Sequence, residues 1–234
     1  MLATFPAAGR QCVGTRSTRG ASVRGRRPAR PRFISRAALR TGMSLQWLRV
    51  AVREHRSYFL FSVVLFLLGA VVGVAIADRG VDLFAQLGLG RGESVFPSEP
   101  SMSFLLVNNT RAFAVFLLGA LSLGLITAVG LVGNGILLGY VGAVAAAREG
   151  LGFVVLAVAP HGVLELPALF AASAVAFRVV ARTAARVAGR RSSVQTREEW
   201  RRTLGYVAAA WLVLVVAAFV EIYVTFVLVS AAYG

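Results

Sequence analysis

A stretch of 36 residues without a charged side chain, residues 112–147, reads AFAVFLLGALSLGLITAVGLVGNGILLGYVGAVAAA. As one α-helix it would reach about 54 Å, whereas the hydrocarbon core of a bilayer is about 30 Å thick. The stretch must therefore fold back on itself. Its Gly133-Asn134-Gly135 tripeptide offers left-handed backbone conformations and a side-chain acceptor for a turn. The sequence therefore predicts a break at 130–135, between two membrane crossings.

Three further apolar stretches are long enough to cross a bilayer. One of them contains Pro160, Gly162 and Pro167, which remove a backbone donor or weaken a helix, so we expect that crossing to be interrupted at 160–162. The sequence thus predicts an all-α integral membrane bundle of about five transmembrane helices within residues 57–234. The expected spans are about 57–77, 112–129, 134–147, 151–180 and 204–230.

The composition agrees with a membrane location. Hydrophobic residues make up 57% of the 234 residues, charged residues 15%, and the mean hydropathy is +0.73. Soluble domains are less apolar and carry about 25% charged residues, so an ordinary cytosolic enzyme is excluded. The lone cysteine, Cys12, excludes a disulfide framework, an iron–sulfur site and a multi-cysteine zinc site.

The basic residues are concentrated near the N-terminus. All 25 are arginines, and 10 of them lie in residues 1–42, which hold no acid and no apolar periodicity. We interpret 1–42 as a disordered arginine-rich tail or as a mis-assigned start with Met43 as initiator; a targeting segment is the other alternative. With few aromatic residues, the tail does not resemble a nucleic-acid binder.

Residues 43–56 have the pattern of an amphipathic helix on the cytoplasmic surface of the bilayer, with arginines on one face. A second arginine-rich segment, 178–202, precedes the last span. The 78–111 loop and the 148–150 turn, in contrast, are not basic. The positive-inside rule therefore predicts a cytoplasmic N-terminus and, after five crossings, an external C-terminus. We expect His55, among these arginines, to be solvated.

Few residues in the spans carry chemistry. His161, Glu165 and Glu221 are the ionisable groups, and Asn134 is an uncharged companion. Polar groups inside a membrane are functional candidates by default, because each is costly unless it is paired. Three interpretations stay open: a polar clamp between helices, a proton or ion path, and an intramembrane metallohydrolase.

The metallohydrolase is the least favoured of the three interpretations. A catalytic zinc site needs three protein ligands, and besides His161 and Glu165 the one candidate is Glu221. The sequence also contains no hydrolase, nucleotide-binding or zinc-protease motif. We therefore assign no catalytic residue, metal ligand or cofactor. Small residues offer helix-packing sites at Gly69, Gly73, Gly135 and Gly139.

The run Pro160-His161-Gly162-Val163-Leu164-Glu165-Leu166-Pro167 resembles the P-H-G-x-x-E-x-P signature of the stage II sporulation protein M family. Two other stretches of this chain also resemble motifs of the family. They are Asn108-Asn109-Thr110-Arg111, which leads into an apolar helix, and Asn134-Gly135 followed by Gly139. Where family members tend to carry glycines after the signature, this chain has Ala171-Ala172-Ser173-Ala174. The tail 1–42 has no family counterpart.

The resemblance implies a multi-pass protein of a prokaryotic plasma membrane with no known enzymatic activity. In spore-forming bacteria the family's namesake belongs to a membrane complex with cell-wall-degrading partners, a role that we do not transfer. The leading hypothesis is a scaffold or assembly component of a cell-envelope complex, with the lipid bilayer, itself or other envelope proteins as partners. The alternative is a transporter or channel subunit that uses the interrupted helix with His161, Glu165 and Glu221.

Overall fold

The computed structural model describes the backbone of residues 36–88 and 101–233, and the side chains from residue 46 onward. Within these ranges every regular element is helical, which confirms the all-α class. A 3₁₀ turn, Gly119–Ser122, precedes the fourth α-helix, and a π-helical turn, Glu221–Thr225, separates the last two. In chain order the α-helices are α1 (Arg36–Asp78), α2 (Leu83–Gln86), α3 (Met102–Leu118), α4 (Leu125–Glu149), α5 (Leu151–Val187), α6 (Arg197–Val220) and α7 (Phe226–Tyr233).

Within the described residues, five helical segments are long and apolar enough to cross a membrane, in agreement with the predicted number. The first, fourth and fifth segments extend beyond the predicted ends, whereas the second and third meet near position 123 rather than at 130–135. The five segments are Gln46–Asp78, Met102–Ser122, Leu125–Glu149, Leu151–Val187 and Arg197–Tyr233.

The N-terminal elements differ from the sequence-based expectation. Residues 43–56 and 57–77 form one helix, α1, rather than a surface helix followed by a separate span. That helix begins at Arg36, inside the stretch expected to be a tail, and the rest of that tail lies outside the described residues. The continuity has a local cause: residues 36–78 contain no proline and are rich in alanine, leucine and arginine, which favour helix.

The predicted break at 130–135 is wrong. The chain reverses instead at Leu123 and Gly124, whose φ angles of 55° and 86° are both left-handed. The Thr127 hydroxyl closes the turn by donating to the Phe116 carbonyl at 2.9 Å. The charge-free stretch is therefore divided near position 123, and α4 runs through Gly133-Asn134-Gly135 without interruption.

The glycines of α4 serve a close helix contact rather than a turn. A Cβ at Gly135 would lie 2.1 Å from the Phe66 carbonyl oxygen of α1, and one at Gly139 would lie 2.1 Å from the Ala70 oxygen. Gly69 and Gly73 of α1 face backbone oxygens of α4 equally closely. Small residues allow the backbones of membrane helices to approach in this way. All four glycines chosen for helix packing thus lie at one contact, between α1 and α4.

The fourth crossing, α5, is also continuous. Its helix includes both Pro160 and Pro167, so the expected separate half-helix over 151–159 is part of one 37-residue helix. Membrane helices tolerate internal prolines when neighbouring helices and local adjustments satisfy the freed backbone groups. Residues 168–176 of α5 are all buried, and with α1, α3 and α6 they form the core of the bundle.

The last crossing contains a feature that the sequence did not indicate. Between α6 and α7 the backbone forms the π-helical turn Glu221–Thr225, in which one extra residue enters the turn. Such turns are rare in proteins overall, and those that occur are frequently found at functional sites. This one begins at Glu221, the sole acid of residues 204–230.

Candidate polar centre within the membrane

His161, Glu165 and Glu221 meet between α5 and the π-helical turn, where each side chain is half-buried. His161 and Glu165 lie one turn apart on α5, a spacing that places two side chains on the same helix face. Glu221 approaches from the π-helical turn. One ligand atom from each of the three lies within 4.8 Å of the other two. We call these three residues the polar centre.

Thr225 connects the polar centre to the π-helical turn. Its hydroxyl oxygen lies 3.3 Å from Nδ1 of His161 and 3.4 Å from the Val220 carbonyl oxygen. The carbonyl can only accept, so the hydroxyl donates to Val220 and accepts from the Nδ1–H of His161. This chain of hydrogen bonds leaves the lone pair of the imidazole on Nε2. The turn therefore positions both Glu221 and the hydroxyl group that contacts Nδ1 of His161.

Two cavities border the polar centre, one toward each end of α5. The first, of about 240 Å³, extends toward Phe170 and is lined by His161, Glu165 and Asn134 of α4. The second, of about 470 Å³, extends toward the Leu151 end and is lined by Ala157, His161 and Glu221. His161 lines both and separates them. Apart from these polar groups, the walls are almost entirely apolar.

Asn134 lines the smaller cavity together with His161 and Glu165, and its side chain is exposed. Its amide nitrogen donates to the Gly130 carbonyl of the same helix at 2.8 Å. Asn134 therefore contributes to the cavity wall, while its amide nitrogen is already used by its own helix.

The charge balance of the polar centre is unusual. The sequence contains no arginine or lysine in residues 57–78, 112–147, 149–177 or 203–233, which form most of the five crossings. Two carboxyl groups thus lie at membrane depth with a single imidazole beside them. Carboxylates in a bilayer are paired or line a path for ions or protons. Protons or a cation must therefore balance the carboxyl groups.

The Asn108-Asn109-Thr110-Arg111 motif lies within α3 rather than before it. Asn109 is buried, and its amide nitrogen has no hydrogen-bond partner within the described ranges. Leu105, one turn earlier on the same helix, lines the larger cavity. Thr110 accepts a hydrogen bond of 3.2 Å from the Trp211 indole, which ties α3 to α6, while Arg111 is exposed.

A second polar cluster, at the opposite end of α5, was not predicted. Arg178 is almost fully buried and donates to Glu54 of α1 at 2.5 Å and to Thr203 of α6 at 3.2 Å. Arg202 forms an ion pair of 3.1 Å with the same Glu54. These contacts join α1, α5 and α6 at the arginine-rich end of the bundle. The signal available in the sequence was Glu54, the one acid between residues 43 and 77.

His55 belongs to this cluster, so the expectation that it is solvated is wrong. The side chain is fully buried and stacks on Tyr206 with the ring centroids 4.7 Å apart. Its Nδ1–H donates to the Ala51 carbonyl at 2.7 Å, and Nε2 accepts from Arg178 at 3.4 Å. The histidine is buried because α6 covers this face of α1.

The architecture defines a class of protein: a multi-pass helical membrane protein with an ionisable centre inside the bundle. Comparison with known families matches residues 35–226 to stage II sporulation protein M. The chain belongs to this family, as its three motifs suggested. An uncharacterized protein of Methanocaldococcus jannaschii is 25% identical over 122 residues, which are 52% of this chain and 68% of that protein. None of the solved structures matches the chain.

Proposed function

We propose that this chain is a non-enzymatic transporter or channel subunit that moves protons or cations through the polar centre. The observation that carries the proposal is the meeting of His161, Glu165 and Glu221 with no arginine or lysine in residues 57–78, 112–147, 149–177 or 203–233. Carboxyl groups at membrane depth with no arginine or lysine nearby are typical of proton relays and ion pathways. The cavities on either side of His161 supply the space that such a pathway needs.

The scaffold hypothesis has less structural support. It rested on the small-residue helix faces, and the four glycines of those faces are used by the contact between α1 and α4 inside this chain. They are therefore not free to bind a second protein. We still propose assembly with itself or with other envelope proteins through the lipid-facing surfaces. If the protein shows no flux, this scaffold function is the one that remains.

The hydrolase hypothesis is also weaker. A metallohydrolase needs a general base in addition to its metal ligands. All three groups of the polar centre would be consumed as ligands, and none of the other acids in the described part of the chain belongs to that cluster. We therefore propose that the chain is not an enzyme.

We also propose a location in the prokaryotic plasma membrane, with the N-terminus in the cytoplasm. The buried ion pairs support one part of this orientation, because they place the basic ends of α1, α5 and α6 together. The positive-inside rule assigns such an end to the cytoplasm.

Flux in liposomes tests the proposed function. Purified protein is reconstituted, a pH gradient or a gradient of one cation is imposed, and its decay is followed with an internal dye. We expect specific flux from the wild type, none from Glu165→Gln, and wild-type flux from Glu149→Gln, an exposed control with the same change of chemistry. Absence of flux from a folded wild-type protein for protons, Na⁺, K⁺ and divalent cations would reject the proposal.

A further inference from the structure

We propose that the polar centre binds a divalent transition-metal ion, with His161, Glu165 and Glu221 as its ligands. This inference rests on the proposed function and names the class of cargo or coupling ion. His161 and Glu165 belong to α5, and Glu221 belongs to the π-helical turn after α6. One bound ion would therefore join the last two crossings of the chain.

The distances are close to those of a metal site. One ligand atom of each residue lies within 4.8 Å of the others. Zinc and similar ions bind nitrogen and carboxylate oxygen at about 2.0–2.2 Å, so the ligand atoms around one ion are about 3.4 Å apart. The side chains therefore need to close by about 1.4 Å at the widest separation. Small rotations of two glutamate side chains can supply that movement.

His161 is oriented as metal-bound histidines are. Its Nδ1–H donates to Thr225, whose hydroxyl in turn donates to the Val220 carbonyl. Histidine ligands of metals almost always donate their second ring N–H to such a partner, which fixes the tautomer and raises the basicity of the ligand. The lone pair on Nε2 is then available to an ion. Thr225 is in this position because of the π-helical turn.

Charge and donor type select the kind of ion. Two carboxylates and a neutral imidazole carry two negative charges, which a divalent cation neutralises. Calcium and magnesium prefer sites made of oxygen alone, whereas a mixed set of imidazole and carboxylate suits zinc, manganese, iron or cobalt. Asn109 is a further buried polar group one turn from cavity-lining Leu105, and its amide nitrogen has no hydrogen-bond partner among the described residues. As a donor, this nitrogen does not itself bind a cation.

Metal binding is measured on the full chain in detergent micelles or nanodiscs. Zn²⁺ titration by calorimetry gives stoichiometry and affinity, and Co²⁺ absorption reports nitrogen and oxygen coordination. We expect one ion per chain and at least a 100-fold loss of affinity in Glu165→Gln and Glu221→Gln. Thr225→Val keeps the three ligands but removes the partner of Nδ1, and it is expected to weaken binding by about 10-fold. Glu149→Gln is the matched control and should bind as the wild type does.

The outcomes separate this inference from the proposed function. No Zn²⁺ or Co²⁺ binding by the folded wild type, or unchanged affinity in both glutamine variants, would overturn the metal site even if proton flux is observed. Metal binding that both variants lose, without flux of any ion, would support the site and reject transport. Unchanged binding in Thr225→Val would remove the role assigned to the π-helical turn.

Discussion

Alanine at Gly135 or Gly139 should destabilise the bundle, although alanine is the better helix former. The new Cβ at either position would lie 2.1 Å from a carbonyl oxygen, of Phe66 or Ala70, where ordinary contacts are 3.4–4 Å. The neighbouring atoms are backbone and cannot rotate away, so α1 and α4 must separate by about 1.3 Å. Overpacking of this kind costs about 1–3 kcal/mol, against a gain of about 1 kcal/mol in helix propensity.

The matched control is Gly133→Ala on the same helix, where a Cβ meets nothing within 4 Å. The melting temperatures of the three variants are compared in detergent, with size-exclusion chromatography as the measure of how much folded protein remains after heating. The control shares the gain in helix propensity and should match or exceed the wild type, so the two overpacked variants should lie about 1–3 kcal/mol, or about 2–12 °C in melting temperature, below the control. If all three variants melt at the same temperature, the close contact between α1 and α4 is wrong.

Three further predictions concern the second polar cluster around Arg178, the turn and the topology. Glu54→Gln leaves the buried Arg178 without its charge partner and should cost about 3 kcal/mol of stability. The exposed ion pair of Glu198 with Arg202 is expected to contribute less than about 1 kcal/mol, so Glu198→Gln is the control. Equal melting temperatures of the two variants would contradict the cluster. Leu123→Gly relieves the left-handed φ of an exposed leucine and should raise stability by about 1 kcal/mol; a decrease would argue against the turn at 123–124. A reporter fused after Gly234 should be active only outside the cytoplasm, and activity inside would exclude five crossings with a cytoplasmic N-terminus.

Hydropathy was sufficient for the fold class because the membrane imposes a length on every apolar helix. The five crossings therefore followed from counting charge-free residues. The site of the turn did not follow, because Gly133-Asn134-Gly135 is compatible with both a turn and a close helix contact. The neighbour that decides between them, α1, lies more than fifty residues earlier in the chain.

The polar centre could be predicted in part. The spacing of His161 and Glu165 placed them on one helix face, and the cost of a charge in a membrane pointed both of them inward. The contribution of the π-helical turn could not be predicted, since no residue preference marks the insertion at Glu221–Thr225. The pairing of Arg178 with Glu54 was missed for a similar reason: the two residues are 124 positions apart, and local sequence records no tertiary contact.

The central claim is that water and ions reach the polar centre from outside the bundle, and cysteine accessibility tests it most directly. In a Cys12→Ser background, Ala157→Cys places a thiol in the larger cavity, and Val155→Cys places one on the exposed surface of the same helix, which faces lipid. Thiols react as thiolates and need water to ionise. We predict that a membrane-impermeant thiosulfonate modifies the cysteine at 157 in intact membranes but not the one at 155. Equal reaction at both positions, or no reaction at 157 while the protein remains folded, would contradict a water-accessible centre.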